Sequence, residues 1–191
     1  MNSDKKITRH QSLRGILAEN PFVTDEQLAR QLNVSIQTIR LDRVALGIPE
    51  LRARIRSMAE QAQAKVRAID KKDIVGELLD LELNKSGLSS LKVTSDMVLE
   101  KTGVCRGHYM FAMANTLALA VVDAERALTA VANCKYKVPV SAGAMLVAKA
   151  EVTHRRMEKY YIYVSIKSNN EEVFRSKYIV ESLDARKKKD E

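Results

Sequence analysis

Two stretches of the chain carry residues suited to binding chemistry. Between Asp25 and Val44 the spacing is that of a helix-turn-helix: small Ala29 where two helices meet, Leu28, Leu32, Val34 and Ile39 for a core, and then a polar, basic helix. At the start of that last helix Ser35, Gln37 and Thr38 are placed to reach base edges, and Arg40 and Arg43 suit phosphate or guanine. An ordinary helical hairpin with a solvated basic face is the bland alternative. Arg52 and Arg56, one turn apart further on, fit phosphate or minor-groove contacts as well as they fit a solvated charge run. The second stretch is Arg106-Gly107-His108, with Asn115 in the apolar run that follows. An arginine fork clamps a carboxylate through two hydrogen bonds, and a glycine at a helix start lets a carbonyl approach backbone amides where an anion is favoured. A neutral amide such as Asn115 cannot serve as nucleophile or general base at pH 7. His10, His108 and His154 lie apart, without cysteine or acidic partners at ligand spacing, so no metal and no resident cofactor are expected. Cys105 beside Arg106 reads as a small apolar filler rather than a low-pKa nucleophile.

The elements that must position these residues follow from the punctuation of the sequence. Ile7, Leu13, Ile16 and Leu17 have roughly helical spacing, and Asn20-Pro21 stops that helix because the residue before proline avoids the helical region. Thr24-Asp25-Glu26-Gln27 is a capping box that starts a second helix, ending near Asn33. Ser35 caps a third from Ile36 to about Leu46, closed by a left-handed Gly47. Pro49 opens a long amphipathic linker helix whose stripe is Leu51, Ile55, Met58, Ala62 and Ile69, interrupted by Lys65; it packs on a neighbour or forms a dimer seam. The expected division is a helix-turn-helix domain over 1–48, a linker helix over 49–70 and a second domain over 71–191.

That second domain reads differently. A near-continuous apolar helix between Gly107 and Val122 must be buried on nearly every face. Segments Ala127–Val140, Ala144–Thr153, Tyr160–Lys167 and Val173–Leu183 are strand-like, with Asn169-Asn170 as a hairpin turn. Ile74–Leu83 is either strand or helix, and Ser86–Ser90 is expected to be a loop. The fold class is therefore α+β: an all-α N-terminal part, then one central helix with an antiparallel sheet.

Composition sets the outer limits. The 191 residues suffice for two small domains, and 46% hydrophobic with 29% charged residues supports a real core. Two cysteines exclude a disulfide scaffold and fit a reducing compartment. The apolar run from Tyr109 to Val122 is interrupted by Asn115 and Thr116 and falls short of the ~20 residues of a membrane span; the N-terminus lacks a signal-peptide run, so a cytoplasmic protein without membrane attachment is expected. Net charge is +8, suggesting a polyanionic partner. Twelve basic against eight acidic residues give +4 over 1–70, and that whole excess lies within 30–56, where six arginines face Asp42 and Glu50. The basic tail, Arg186-Lys187-Lys188-Lys189, reads as solvated.

The segment from Val34 to Arg43, with Ser35-Ile36-Gln37-Thr38-Ile39-Arg40 at its centre, resembles the recognition segment of DeoR-type regulators. Together with Pro21-Phe22-Val23-Thr24-Asp25, Ile48-Pro49-Glu50-Leu51-Arg52, Lys101-Thr102-Gly103, Arg106-Gly107-His108 and Asn115, it resembles the FapR family of fatty acid and phospholipid biosynthesis repressors over nearly the full length. The resemblance implies a homodimer in which a DNA-binding domain is joined by a linker helix to a hotdog-fold effector domain. It further implies that malonyl-CoA or malonyl-acyl carrier protein binds that domain and releases operator DNA. From the family, Arg106, Gly107, Asn115 and Leu128 carry over as pocket residues, with Arg106 facing the malonyl carboxylate. Hotdog thioesterases with a His-Gly-Gly motif place a catalytic acid nine positions after the histidine. Set on that pattern, Arg106 stands at the histidine and Asn115 at the acid, so both catalytic chemistries are replaced and no enzyme activity is expected. A hotdog acyl-CoA thioesterase fused to a DNA-binding domain is the alternative.

Overall fold

The computed structural model describes residues 2–20 and 22–184; Pro21 and the basic tail at 186–189 lie outside them. The chain forms two compact units, Met1–Met58 and Ala59–Glu191. In the first, α1 spans Asn2–Glu19, α2 Asp25–Gln31 and α3 Ile36–Ala45, and α4, Leu51–Lys65, begins there and crosses into the second. The capping box is formed: the Thr24 hydroxyl accepts from the Gln27 amide at 3.2 Å, and the Gln27 side chain accepts from the Thr24 amide at 2.9 Å. The Ser35 hydroxyl accepts from the Thr38 amide at 3.1 Å and starts α3. The turn between them is tight because Asn33 takes φ 51° and the Val34 amide donates back to Ala29 at 3.0 Å. Leu13, Val23, Leu28, Ala29 and Ile39 are buried together, with Leu32, Val34, Leu46 and Ile48 packed on them.

The linker helix is shorter than the sequence stripe implied. α4 ends at Lys65, so Ile69 lies beyond it, and Ala62 and Ala68 join the core of the second unit. The Lys65 ammonium explains its place in the stripe, since it donates to the Leu81 carbonyl at 3.0 Å.

The second unit is built around α5, Gly107–Ala120. Met110, Met113, Ala114, Leu117, Ala118 and Ala120 are buried, as a helix apolar on nearly every face requires. Six antiparallel strands wrap it: β1 Glu77–Glu82, β2 Ser86–Lys92, β3 Ala127–Tyr136, β4 Met145–Arg156, β5 Lys159–Ser168 and β6 Glu171–Ser182. Their order is β1-β2-β4-β5-β6-β3, so β3 is an edge. This is the hotdog arrangement. Tyr160, Ile162, Val164 and Ile166 of β5 point at the core and alternate with Tyr161, Tyr163 and Ser165. Asn169 and Asn170 turn the β5–β6 hairpin at φ 48° and 67°.

The expected loop at Ser86–Ser90 is instead the interior strand β2, paired with both β1 and β4. Its small residues are the reason. A Cβ on Gly87 would stand 2.8 Å from Val121 and 3.0 Å from Leu117, so the strand passes over the helix only because that side chain is missing. The ambiguous stretch at 74–83 contains β1, a strand.

Candidate functional site

In the first unit the outward face of α3 presents Gln37 and Arg40, the latter with 59% of its side chain exposed. Ser35 is exposed and Thr38 partly so, both in N-cap hydrogen bonding. Arg52 and Arg56 are exposed on the first half of α4. Arg43 departs from the sequence reading. It is 4% exposed, and its guanidinium grips Asp25 through two hydrogen bonds of 2.8 Å while also donating to the Ile48 carbonyl. Its donors are spent tying α3 to the start of α2, so Arg43 is a clamp of the fold and not a DNA-facing cation.

Two further clamps were missed in the sequence. Asp42 is buried on the same side of α3 and accepts from Arg9 and from His10 of α1, the latter at 2.9 Å. The Arg9 hydrogen bond holds its carboxyl below the usual carboxylate range, against the opposing effect of burial. Arg54, 8% exposed, donates to the Pro49 carbonyl at 2.7 Å and the Val23 carbonyl at 2.8 Å. Burial lowers its pKa from the ordinary arginine value. The signal was present: a 3.6-residue period anchored on Ile39 places 42, 43 and 46 inside.

In the second unit three of the four expected pocket residues lie on or at the head of α5. Arg106 is its N-cap residue; the guanidinium donates to the Asp96 carbonyl and the backbone amide donates to the Met97 carbonyl at 2.9 Å. Gly107 lies under the ring of Tyr136, where a Cβ would come within 2.9 Å of Cε1, and the Tyr136 hydroxyl donates to the Gly107 carbonyl at 3.1 Å. A cleft beside it is lined by Cys105, Gly107, Met110, Tyr136 and Val138. Burial pushes the Cys105 thiol up, so it is held as a neutral thiol. Asn115 accepts from the Thr129 hydroxyl of β3 at 2.7 Å, which turns its amide nitrogen away from Thr129 and leaves it as a donor.

One chain does not bring the four residues to a common point. Arg106 and Asn115 are nine positions apart, about 13 Å along the axis and half a turn around it. Leu128 alternates with Thr129, so it faces away from Asn115 and is 58% exposed on the edge strand.

The chain is 50% identical over 179 residues to the transcription factor FapR of Thermoanaerobacter sp. strain X514, covering 94% of this chain and 90% of that one. The chain belongs to the FapR family of transcription factors. It is also 42% identical over 176 residues to the FapR transcription factor of Halalkalibacterium halodurans, covering 92% and 95%. No family model matches the chain. Among solved structures, the hotdog unit of this FapR-family chain is similar to a sigma28-regulated virulence protein of Campylobacter jejuni, at TM-score 0.61 and 21% identity, over 66% of this chain and 90% of that one. A hypothetical thioesterase of Streptococcus pneumoniae, solved with coenzyme A, gives TM-score 0.52 at 16% identity, over 58% and 88%. At these identities the likeness concerns the fold. Among the described residues no helix is long and apolar enough to cross a membrane, and no group of three or more His, Cys, Asp or Glu is gathered to hold a metal.

Proposed function

We propose that this FapR-family chain is a cytoplasmic, homodimeric repressor of fatty acid and phospholipid biosynthesis genes. It binds operator DNA through α3 and the first half of α4, and it lets go when malonyl-CoA or malonyl-acyl carrier protein binds the hotdog unit. The observation that carries the reading is the pair at α5: an arginine at the N-cap and a hydroxyl-oriented amide at position 115, where thioester hydrolysis needs a histidine and an acid. Arg106 is the clamp for the malonyl carboxylate, aided by the positive end of α5, and Gly107 stands beside it at the rim of the cleft under Tyr136. The half-turn between Arg106 and Asn115, and exposed Leu128 on edge strand β3, favour a pocket completed by a second copy. Ser35, Gln37 and Thr38 reach the base edges, Arg40 contacts phosphate or guanine, and Arg52 and Arg56 lie on the phosphates or in the minor groove.

The test is a gel shift with operator DNA and increasing malonyl-CoA, run beside a thiol-release assay on the same protein. Release of DNA without thiol production supports the receptor. Steady thiol release above the spontaneous rate, lost in Asn115→Ala, supports the thioesterase alternative instead.

A further inference from the structure

Two of the most exposed large apolar side chains among the described residues lie on α3: Leu41 at 63% and Val44 at 77% exposure. At 100° per residue, Gln37, Arg40, Leu41 and Val44 fall within an arc of about 100°, and Ile39, Asp42 and Arg43 point the opposite way into the unit. The inward face thus sets two charged residues beside Ile39, and the outward face sets leucine and valine beside Gln37 and Arg40.

The charge around this stripe restricts what covers it. Over 1–58 there are ten basic and six acidic residues. Pairing Asp25 with Arg43 and Asp42 with Arg9 takes two charges of each sign and leaves the basic excess of four in place. The stripe itself contains Arg40 and no acid. The occupant must therefore be polyanionic overall and yet offer apolar groups at helix-width spacing. The major groove of a DNA duplex does so through the 5-methyl group of thymine, which sits on the same base pair as the adenine edge that a glutamine side chain matches. Gln37 and Leu41 stand one turn apart, with about 6 Å between neighbouring positions.

We infer that this face reads A·T base pairs, Gln37 through the adenine edge and Leu41 and Val44 through thymine methyl groups. The inference deepens the DNA-binding reading above and rests on it. Arg40 supplies affinity on this face, and the apolar pair supplies sequence discrimination.

The experiment selects duplexes from a random pool with the full chain and then resynthesises the enriched duplex with deoxyuridine in place of thymidine. That change deletes the methyl groups and leaves base pairing intact. Wild-type affinity at fixed salt is expected to fall about fourfold for each methyl read. The Leu41→Ala, Val44→Ala double variant, at surface positions that leave the core untouched, is expected to bind both duplexes alike with an unchanged salt dependence. Arg40→Ala should weaken both duplexes equally and flatten the salt dependence. Equal wild-type binding to the two duplexes, or methyl discrimination that survives in the double variant, overturns the inference while leaving DNA binding standing. A pool in which nothing is enriched overturns the DNA reading and this inference with it.

Discussion

The two units solve the same problem of burial with different chemistry. The hotdog unit encloses one helix in a sheet and fills the space with apolar side chains, from Met113 and Leu117 of α5 to Leu146, Ile162 and Phe174 of the strands. The helix-turn-helix unit has only a handful of buried apolar residues, and it adds charged clamps: Arg43 on Asp25, Asp42 between Arg9 and His10, and Arg54 on two carbonyls. A unit this small buries too little apolar surface to be robust on that account alone. Directional polar contacts fix the angle between short helices but make the unit sensitive to pH and to loss of any one partner.

The largest expected break in this comparison is Arg43→Ala, which leaves the Asp25 carboxylate without its bidentate partner. Removing one member of a buried pair costs about 3–5 kcal/mol, comparable to the whole stability of so small a unit. Differential scanning calorimetry is expected to show the transition of the first unit lost, with the second unit's transition in place. Two transitions both unchanged from wild type would show that the clamp is dispensable.

Next in size is Leu117→Ala in the hotdog core, expected to cost about 3 kcal/mol by lost burial and a cavity. Here the hotdog transition should move and the first unit's should stay. Urea denaturation followed by a probe in each unit reads the two separately.

The third sharpens the contrast through pH. The Asp42 carboxyl is held below its usual range, so its stabilising contribution is complete at neutral pH. That contribution is lost as the pH falls below about 4 and the carboxylate protonates in the folded state. Asp42→Asn is expected to cost the first unit about 2 kcal/mol at pH 7, with the gap to wild type closing on acidification. A gap that stays constant down to pH 3 would contradict the charge-based account. The smallest effect is Thr24→Ala, which removes the side-chain half of the capping box and should cost about 1 kcal/mol, seen as a small shift in the same urea curve.

What could be read from the sequence divides along the same line. Local signals were legible: Thr24 and Ser35 cap their helices, Asn169-Asn170 turns the hairpin, and the all-round apolar character of α5 announces its burial. Residues whose role depends on which face they occupy were not. Composition reports charge and not direction, so it cannot show that Arg43 turns inward or that Leu41 and Val44 turn outward. Strand β2 escaped because serine and glycine favour loops by propensity, whereas here their smallness lets the sheet cross α5. Of the residues proposed for the effector pocket, Arg106, Gly107 and Asn115 all lie on or at the head of α5, whereas the outward turn of Leu128 became visible only once edge strand β3 was placed.

Under the proposed coupling of DNA release to malonyl thioester binding, linkage demands that ligand and operator weaken each other by the same factor. The most direct measurement is fluorescence anisotropy of a labelled operator duplex across a malonyl-CoA titration, for wild type and Arg106→Ala. Wild type is expected to release the duplex. Arg106→Ala is expected to bind it as tightly but to need more than tenfold higher malonyl-CoA for release, since losing the partner of a bound carboxylate costs roughly 2–5 kcal/mol. Superimposable release curves for the two proteins would contradict the assignment of Arg106 as the carboxylate clamp, and a duplex that malonyl-CoA never releases from wild type would contradict the coupling itself.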